Sequence, residues 1–423
     1  MFNTVPLDIE DVAKCVAVMV FGLVLMLHFG RRLRISTALV FVAFAWHTLI
    51  SIGYLFVFAD QPADMKYYFE SAFDSNVPFA FSTGGIIYAA SICVQTLGMS
   101  FLATNLLFSI SGALGMLYFY AAMVETPLAR SLRVKAQALL LLFLPSTSFW
   151  SACLGKDGLA FLSVGLFSWS LGAIDTRKFP LAIAVGIMVF VRPHIAFMML
   201  LGAALLVLMT ASKRPVVAFS LSIGVVVSAV FLAPIVLNLL GVESLSISDL
   251  GGRIEKQQGT DMGGGTAMAL TDMSLPALMA SYLFRPLPNE ITSSFQILIA
   301  LENLVHIFLF LEFFALLILR RLSVRSLNWG LLGYAVGVLI FLAATTSNLG
   351  IAVRQKWMVL PAFYTVFFTA LPSRRRSVQQ HPLRRFDARQ MRDEWPAQPM
   401  PDDRAERKTR QPWQNPNVWG PNR

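Results

Sequence analysis

The sequence predicts an all-α, polytopic integral membrane protein, and three observations carry that prediction. Hydrophobic residues make up 56% of the 423, charged residues only 14%, and the mean hydropathy is +0.64. Continuous apolar runs of roughly 18–22 residues recur, which is the length that spans a bilayer as helix. Between them, Arg and Lys gather in short loops after alternate runs, as the positive-inside bias expects. Backbone polar groups in lipid must be satisfied internally, so such runs are helices. The alternating pattern of an outer-membrane barrel is absent. The net charge of +10 is therefore a topological signal, and no nucleic-acid partner is expected. Cys15, Cys93 and Cys153 are scattered in apolar stretches and show no metal or disulfide spacing. Asp8, Glu10 and Asp11 precede the first apolar run, the reverse of a signal peptide's basic start.

Each run is assigned by its flanking charges. Val12–Phe29 ends at Arg31, Arg32 and Arg34, which places the N-terminus outside. Ile35–Phe58 returns outward to a polar loop, Ala59–Thr83, with Asp60, Asp64, Lys66, Tyr67, Tyr68, Glu70 and Asp74. Phe79–Leu97 is moderately apolar and contains Ser82-Thr83-Gly84-Gly85, so it is expected as a lateral or re-entrant helix on the outer face. Gly98–Val124 crosses inward to Arg130, Arg133 and Lys135, and Ala136–Ala152 crosses outward to Lys156-Asp157. Gly158–Ile174 runs inward to Arg177-Lys178, and the short Phe179–Val191 outward to Arg192-Pro193-His194. Ile195–Ala211 runs inward and Pro215–Leu240 outward to a long loop, Gly241–Glu290, with Arg253, Glu255, Lys256 and Arg285-Pro286. Ile291–Leu319 goes in to Arg320, Arg321 and Arg325, Leu327–Thr346 out to Ser347-Asn348, and Trp357–Leu371 in to Arg374-Arg375-Arg376. The expectation is about eleven spans, N-terminus outside and C-terminus cytoplasmic, with residues 1–372 as one transmembrane domain. The tail, 373–423, is rich in Pro, Gln, Arg and Asp, and is expected to stay disordered or to lie on anionic headgroups.

The polar clusters coincide on the expected outer side: the Asp64 loop, Lys156-Asp157, Arg192-Pro193-His194, Arg285-Pro286 and Asn348–Arg354. Arg192 and Arg285 each precede proline, which pushes a residue out of helix geometry. Arg suits bidentate phosphate contact, so Arg192, Arg285 and Arg354 together are a candidate diphosphate cradle. The plainer alternative is three arginines snorkelling at the interface. Asp64 and Tyr68 share a helical face. The carboxylate is a candidate general base and the tyrosine a sugar platform; His194 is a second candidate base. Lys156-Asp157 is expected chiefly as a locked ion pair flooring the cavity. Glu302 and His306, one turn apart, and Glu312 lie inside a span, where ionisable groups face a cavity or a protein partner. They are the main support for a transport reading, with interhelical hydrogen bonding as the structural one.

Four stretches carry a family resemblance: FWSACLGKDG after a Pro-Ser corner, VRPHIAF, LFRPLPNE leading into ALEN, and SNLGIAVRQKWMVLP. With the early Asp64 and its following tyrosines, they resemble the Wzy-type and EpsG-like oligosaccharide repeat-unit polymerases of bacterial polysaccharide gene clusters. The resemblance implies a GT-C-like architecture and a metal- and cofactor-independent glycosyl transfer on the outer face of the inner membrane. A glycan on undecaprenyl diphosphate would pass to a sugar hydroxyl of a new lipid-linked repeat, with a flippase and a chain-length regulator as neighbours. Carried over, it makes Asp64 and His194 the catalytic candidates. Arg192, Arg285, Arg354, Lys156, Tyr68 and Asn348 become the diphosphate or glycan contacts. The alternatives are a transferase using a polyprenyl-phosphate sugar, a glycan ligase, and a transporter or flippase of a lipid-linked substrate.

Overall fold

The computed structural model describes residues 8–58, 63–74, 76–125, 131–210, 273–291, 293–319, 326–346 and 348–370, with the single residues 219, 223 and 321. Among them the chain is helix and loop, without a strand. Except for residues 219 and 223, the expected span Pro215–Leu240, the loop as far as 272 and the tail lie outside the described residues.

Among the described residues, five helices are long and apolar enough to cross a membrane. They are α1 (Ile9–Arg32), α2 (Thr37–Val57), α5 (Phe101–Val124), α10 (Pro193–Thr210) and α12 (Ser294–Ile318). All five start on a side-chain cap or a proline, as helix termini demand; in α12 Ser293 accepts from Gln296 N at 3.4 Å. Asp8 accepts from Asp11 N at 2.8 Å, Ser36 from Leu39 N at 3.3 Å and Ser100 from Ala103 N at 3.3 Å, while Pro193 opens α10. Arg31 and Arg32 fall in the last turn of α1, where the helix dipole favours cations.

Shorter helices fill the gaps: α3 (Asp64–Ser71), α4 (Thr83–Ser91), α6 (Leu132–Leu142), α7 (Pro145–Ser151), α8 (Lys156–Leu171), α9 (Lys178–Val191), α11 (Leu275–Phe284), α13 (Trp329–Thr345), α14 (Leu349–Gln355) and α15 (Leu360–Ala370). One expectation changes here. The run Ala136–Ala152 is not one helix: α6 stops at Leu142 and α7 restarts at Pro145. Proline lacks the N–H a continuing helix needs, and its ring clashes with the preceding turn. The segment Phe79–Leu97 holds a nine-residue α4 and a five-residue π-helical turn, Ile92–Thr96, which together fall short of a span.

The centre of the bundle is the crossing of α5 and α8. Small residues bring the two backbones together, the usual device where lipid removes the hydrophobic drive for helix association. A Cβ on Gly165 would lie 2.8 Å from the carbonyl oxygen of Gly115 and 3.2 Å from Phe119 N, both backbone atoms that cannot turn aside. Gly165→Leu is therefore expected to lower stability by about 1–3 kcal/mol, read as an earlier thermal transition in detergent. An unchanged transition would mean that the helices do not cross at this point.

The bundle has two chemically distinct ends. Arg177, beyond the end of α8, pairs with Glu125 and lies 3.7 Å over the Trp169 ring. Glu312 pairs with Arg133 at 2.8 Å and accepts from Gln137 at 2.9 Å. The first pair ties the connection after α8 to the end of α5, and the second ties α6 to α12. Lys156 and Asp157 begin the same α8, so they stand at its opposite end, roughly 24 Å away along the axis.

Candidate functional site: an ion-pair chain at one end of the bundle

The site is organised by the turn between α7 and α8. Ser51 Oγ donates to Ala152 O at 2.7 Å, and Asn105 Nδ2 donates to Ser51 Oγ at 3.0 Å. Asn105 Oδ1 accepts from Leu154 N at 2.8 Å. Both side chains are fully buried on long helices, so α2 and α5 hold the backbone that leads into Lys156 and Asp157. Tyr68 of α3 packs over the same turn, its ring 3.5 Å from where a Cβ on Gly155 would stand.

Asp157 receives two arginines. Arg192 Nη2 is 2.8 Å from Oδ1, and Arg354 Nε is 3.1 Å from Oδ2. Arg354 then reaches Asp64 Oδ2 through Nη1 at 2.7 Å. The result is one alternating chain, Arg192–Asp157–Arg354–Asp64, assembled from four distant parts of the sequence. Local backbone explains two members. Arg192 ends α9 with φ −151° and ψ 78°, outside helix geometry, because Pro193 follows. Arg354 stands in the last turn of α14, which Asn348 starts by accepting from Gly350 N at 2.8 Å and from Ile351 N.

The charges reinforce one another. Burial would raise the Asp157 carboxyl, but Arg354 and Arg192 outweigh it and hold the group below its ordinary value. Asp157 raises Arg354 in turn, against burial and with help from Asp64. Lys156 does not pair with Asp157. Its Nζ donates to Thr83 Oγ1 at 3.1 Å, which corrects the expected Lys156–Asp157 lock. The physical reason is that two guanidiniums already occupy the carboxylate. Burial, then Arg192, pushes the Lys156 ammonium down to about 8, with Arg354 adding to this and Asp157 and Asp64 opposing it.

The remaining expected residues fall out differently. Arg285 leaves helix geometry as expected, with ψ 154°, but its Nη2 pairs with Glu290 at 2.6 Å and its Nη1 donates to Ser281 Oγ at 3.3 Å. Glu290 also accepts from Leu287 N at 2.8 Å, so this loop closes on itself. The expected cradle of three arginines is thus two arginines joined by Asp157, with Arg285 held by its own carboxylate. Tyr68 is buried, 4% exposed, whereas Tyr67 is 56% exposed, so Tyr67 is the one of the two open to the surroundings. The ring of His194 lies 5.5 Å from Phe341, in the first turn of α10. Asn348 acts as a helix cap.

A second knot lies behind the chain. Glu302 accepts from Ser146 N at 2.9 Å, and Trp357 Nε1 donates to Ser146 Oγ at 3.3 Å. Lys356, fully buried, donates to Asn303 Oδ1 at 2.6 Å, and Asn303 Nδ2 donates to Pro286 O at 2.9 Å. His306 Nδ1 meets Tyr364 OH at 2.6 Å, while Glu302 Oε2 and His306 Nε2 have no hydrogen-bond partner. Asn303 and Lys356 thus tie the Arg285-Pro286 loop to the segment carrying Arg354. A small cavity between knot and chain is lined by Thr147, Trp150, Asp157, Arg354 and Trp357; its ≈ 10 Å³ of open space is about one water's worth. Among the described residues, no three His, Cys, Asp or Glu side chains could hold a metal ion.

Sequence reasoning missed Ser51, Asn105, Asn303 and Lys356. The available signal was a polar residue inside an apolar run, which is expensive in lipid and marks a site by default.

Lys156 supplies a pH prediction. Its folded value near 8 lies below the unfolded ~10.4. Between those values the unfolded chain binds more protons, so stability rises with pH through that window. Anion binding runs the other way, because the ammonium is lost above about 8. Affinity for an anion held by this ammonium is expected to fall on an alkaline limb near pH 8 while thermal stability does not, and Lys156→Arg should remove the limb. A limb that persists in Lys156→Arg would assign it to another group.

Comparison with family models, with curated proteins and with solved structures finds no match. Fold and site therefore define a class on their own terms: among the described residues an all-helical chain, compatible with a membrane location, with a chain of alternating charges at one end of its bundle, enclosed at Arg192 and Asp157 and open at Asp64.

Proposed function

We propose that this chain is a multi-pass membrane glycosyltransferase that polymerises undecaprenyl-diphosphate-linked repeat units, with its site on the outer face of the bacterial inner membrane. The observation that carries the reading is Asp157 shared by Arg192 and Arg354. Two guanidiniums and the Lys156 ammonium face two carboxylates there, and Arg192 Nε is buried without a hydrogen-bond partner. A preorganised group of that kind can accept further anionic oxygen, as a departing diphosphate requires. About eleven spans, with the N-terminus outside and the tail cytoplasmic, follow from the loop charges and put the ion-pair chain outside.

In this reading the bond between the anomeric carbon and the diphosphate oxygen breaks. The electron pair leaves with the diphosphate, and Arg192, Arg354 and Lys156 neutralise it. A hydroxyl of the acceptor repeat attacks the same carbon, and its proton passes to a base. Asp64 is the candidate base, because its side chain is 57% exposed and still tethered to Arg354. His194 is the alternative, and Tyr67 or Tyr68 would meet the sugar.

A second reading has its own observation. Glu302 Oε2 and His306 Nε2, buried within α12 and unpartnered, are what a proton-coupled carrier of a lipid-linked anion would use. One experiment separates the two. Purified protein is given a lipid-linked repeat unit without nucleotide sugar or metal, and products are run on a gel. A ladder that requires Arg354 supports the polymerase. Absence of a ladder, with the same protein moving the substrate across a liposome membrane, replaces it with the carrier. A product limited to one added sugar from a polyprenyl-phosphate donor, or a whole glycan moved to another acceptor, would instead identify the monosaccharide transferase or the ligase.

A further inference from the structure

The face formed by α4, α5, α8 and α9 carries a cavity of ≈ 500 Å³ that opens to the surroundings of the bundle. Its walls are apolar: Ala89 from α4, Phe108 from α5, Leu159 from α8, and Ile187 and Phe190 from α9. The hydroxyl among them, Ser111, already donates to Phe108 O at 2.7 Å. Gly186 leaves the groove its width, for a Cβ built on it meets nothing within 4 Å.

One end of this groove is chemically marked. Leu159 follows Lys156 by three residues on α8, so the two share a helix face. Phe190 precedes Arg192 by two, and its carbonyl accepts from Ser82 N at 2.8 Å, which docks the start of α4 against the end of α9. Thr83, the next residue, takes the hydrogen bond of Lys156. An apolar trough therefore runs up to an ammonium with three protons to donate, one of them directed at Thr83. The charged groups around that ammonium are Arg192, Arg354, Asp157 and Asp64, so with Lys156 itself three cations meet two carboxylates where the trough ends. The complementary ligand is long and apolar with one anionic end.

We infer that the groove between α4, α5, α8 and α9 holds the hydrocarbon chain of a polyprenyl diphosphate, whose phosphate nearest the chain rests at Lys156 and Thr83. The inference rests on the proposed function for its choice of lipid. It adds where the chain lies and which side chains hold its head. Selection comes from shape and charge rather than from burial of apolar surface, because the competing solvent is itself hydrocarbon. The carbon nearest the phosphate would pass Leu159 and Phe190, and the chain would leave past Ala89 and Gly186 toward the bilayer.

The test uses the full chain in nanodiscs of zwitterionic phospholipid, with a diazirine-bearing polyprenyl diphosphate as probe and adducts mapped by mass spectrometry. Adducts on α4 and α9 near Ala89, Ile187 and Phe190 are expected, and they should be displaced by unlabelled polyprenyl diphosphate. Gly186→Phe should lower labelling at least tenfold, and Lys156→Gln several-fold. Ile187→Trp, which narrows the same trough from the other side, serves if Gly186→Phe does not fold. Adducts confined to other helices, or labelling equally displaced by a two-chain anionic phospholipid, would overturn the assignment. So would a folded Gly186→Phe protein that labels like the wild type. The groove and the transfer reaction fail separately. Wild-type KM for the lipid-linked repeat in a Gly186→Phe protein that no longer labels sinks the groove and leaves the transferase. Normal groove labelling in a protein that builds no ladder keeps the groove and sinks the transferase.

Discussion

In the proposed polymerase, Arg354→Ala is expected to lower polymer formation by at least about 100-fold while the protein remains folded in the membrane. Removing a single preorganised donor from a site where charge develops costs about 10²–10³ in rate, and Arg354 contacts both carboxylates of the chain. The stability cost should be smaller. Arg354 and Asp64 are partly exposed, so solvent screening discounts their pair, and Asp157 keeps Arg192. A loss of about 1–2 kcal/mol is the expected order. Arg354→Lys keeps the charge but not the fork that spans two carboxylates, so it should recover stability more fully than activity. Ladder intensity and thermal transition, measured on the same preparations, check both halves. Wild-type ladders from Arg354→Ala would remove the guanidinium from the mechanism.

The pH dependence of the folded state follows from the same pair. Asp157 is held below its ordinary value by Arg354 and Arg192 against the effect of burial. A depressed carboxylate contributes stability above its unfolded value, ~4, and loses it as pH falls through the lower folded value. Acid should therefore destabilise the wild type more than Asp157→Asn.

Part of this site was legible in the sequence because it depends on local rules. Pre-proline residues leave helix geometry wherever they occur, so Arg192 and Arg285 were identifiable as residues at helix breaks. The apolar runs and their flanking arginines likewise point to helices of membrane length, and five are present among the described residues. Pairings were not legible, because they depend on which ends meet. Asp157 adjoins Lys156 in sequence, but α9 and α14 deliver arginines to it first. Arg285 was grouped with the other arginines by residue type, and only the fold shows Glu290 closing back on it. The knot of Glu302, Asn303, Lys356 and His306 was half visible. Its acid and histidine stood out inside an apolar run, whereas Lys356 read as the edge of a span and Asn303 as part of a motif. The break at Leu144-Pro145 shows the opposite case, where a local rule was present and the length of the apolar run concealed it.

Asp157→Ala should produce the largest loss of stability of any single change at this end of the bundle. Arg192 is buried, with its side chain 8% exposed, and Asp157 is its ion-pair partner at 2.8 Å. Deleting one partner of a buried pair leaves an uncompensated charge and costs about 3–5 kcal/mol, more than the pair itself contributes. The double variant Asp157→Asn with Arg192→Gln is expected to recover much of that, because the buried guanidinium is removed together with its partner. The two positions should show a coupling of about 1–3 kcal/mol in a double-mutant cycle. The same cycle separates a structural role from a functional one. If the pair only holds α8 against α9, the double variant regains activity along with stability. If the guanidinium neutralises a leaving diphosphate, the double variant folds and still builds no polymer. A stable, inactive double variant is the expected result, since the neutral amide of Gln restores the packing at position 192 but supplies no charge to the departing oxygen.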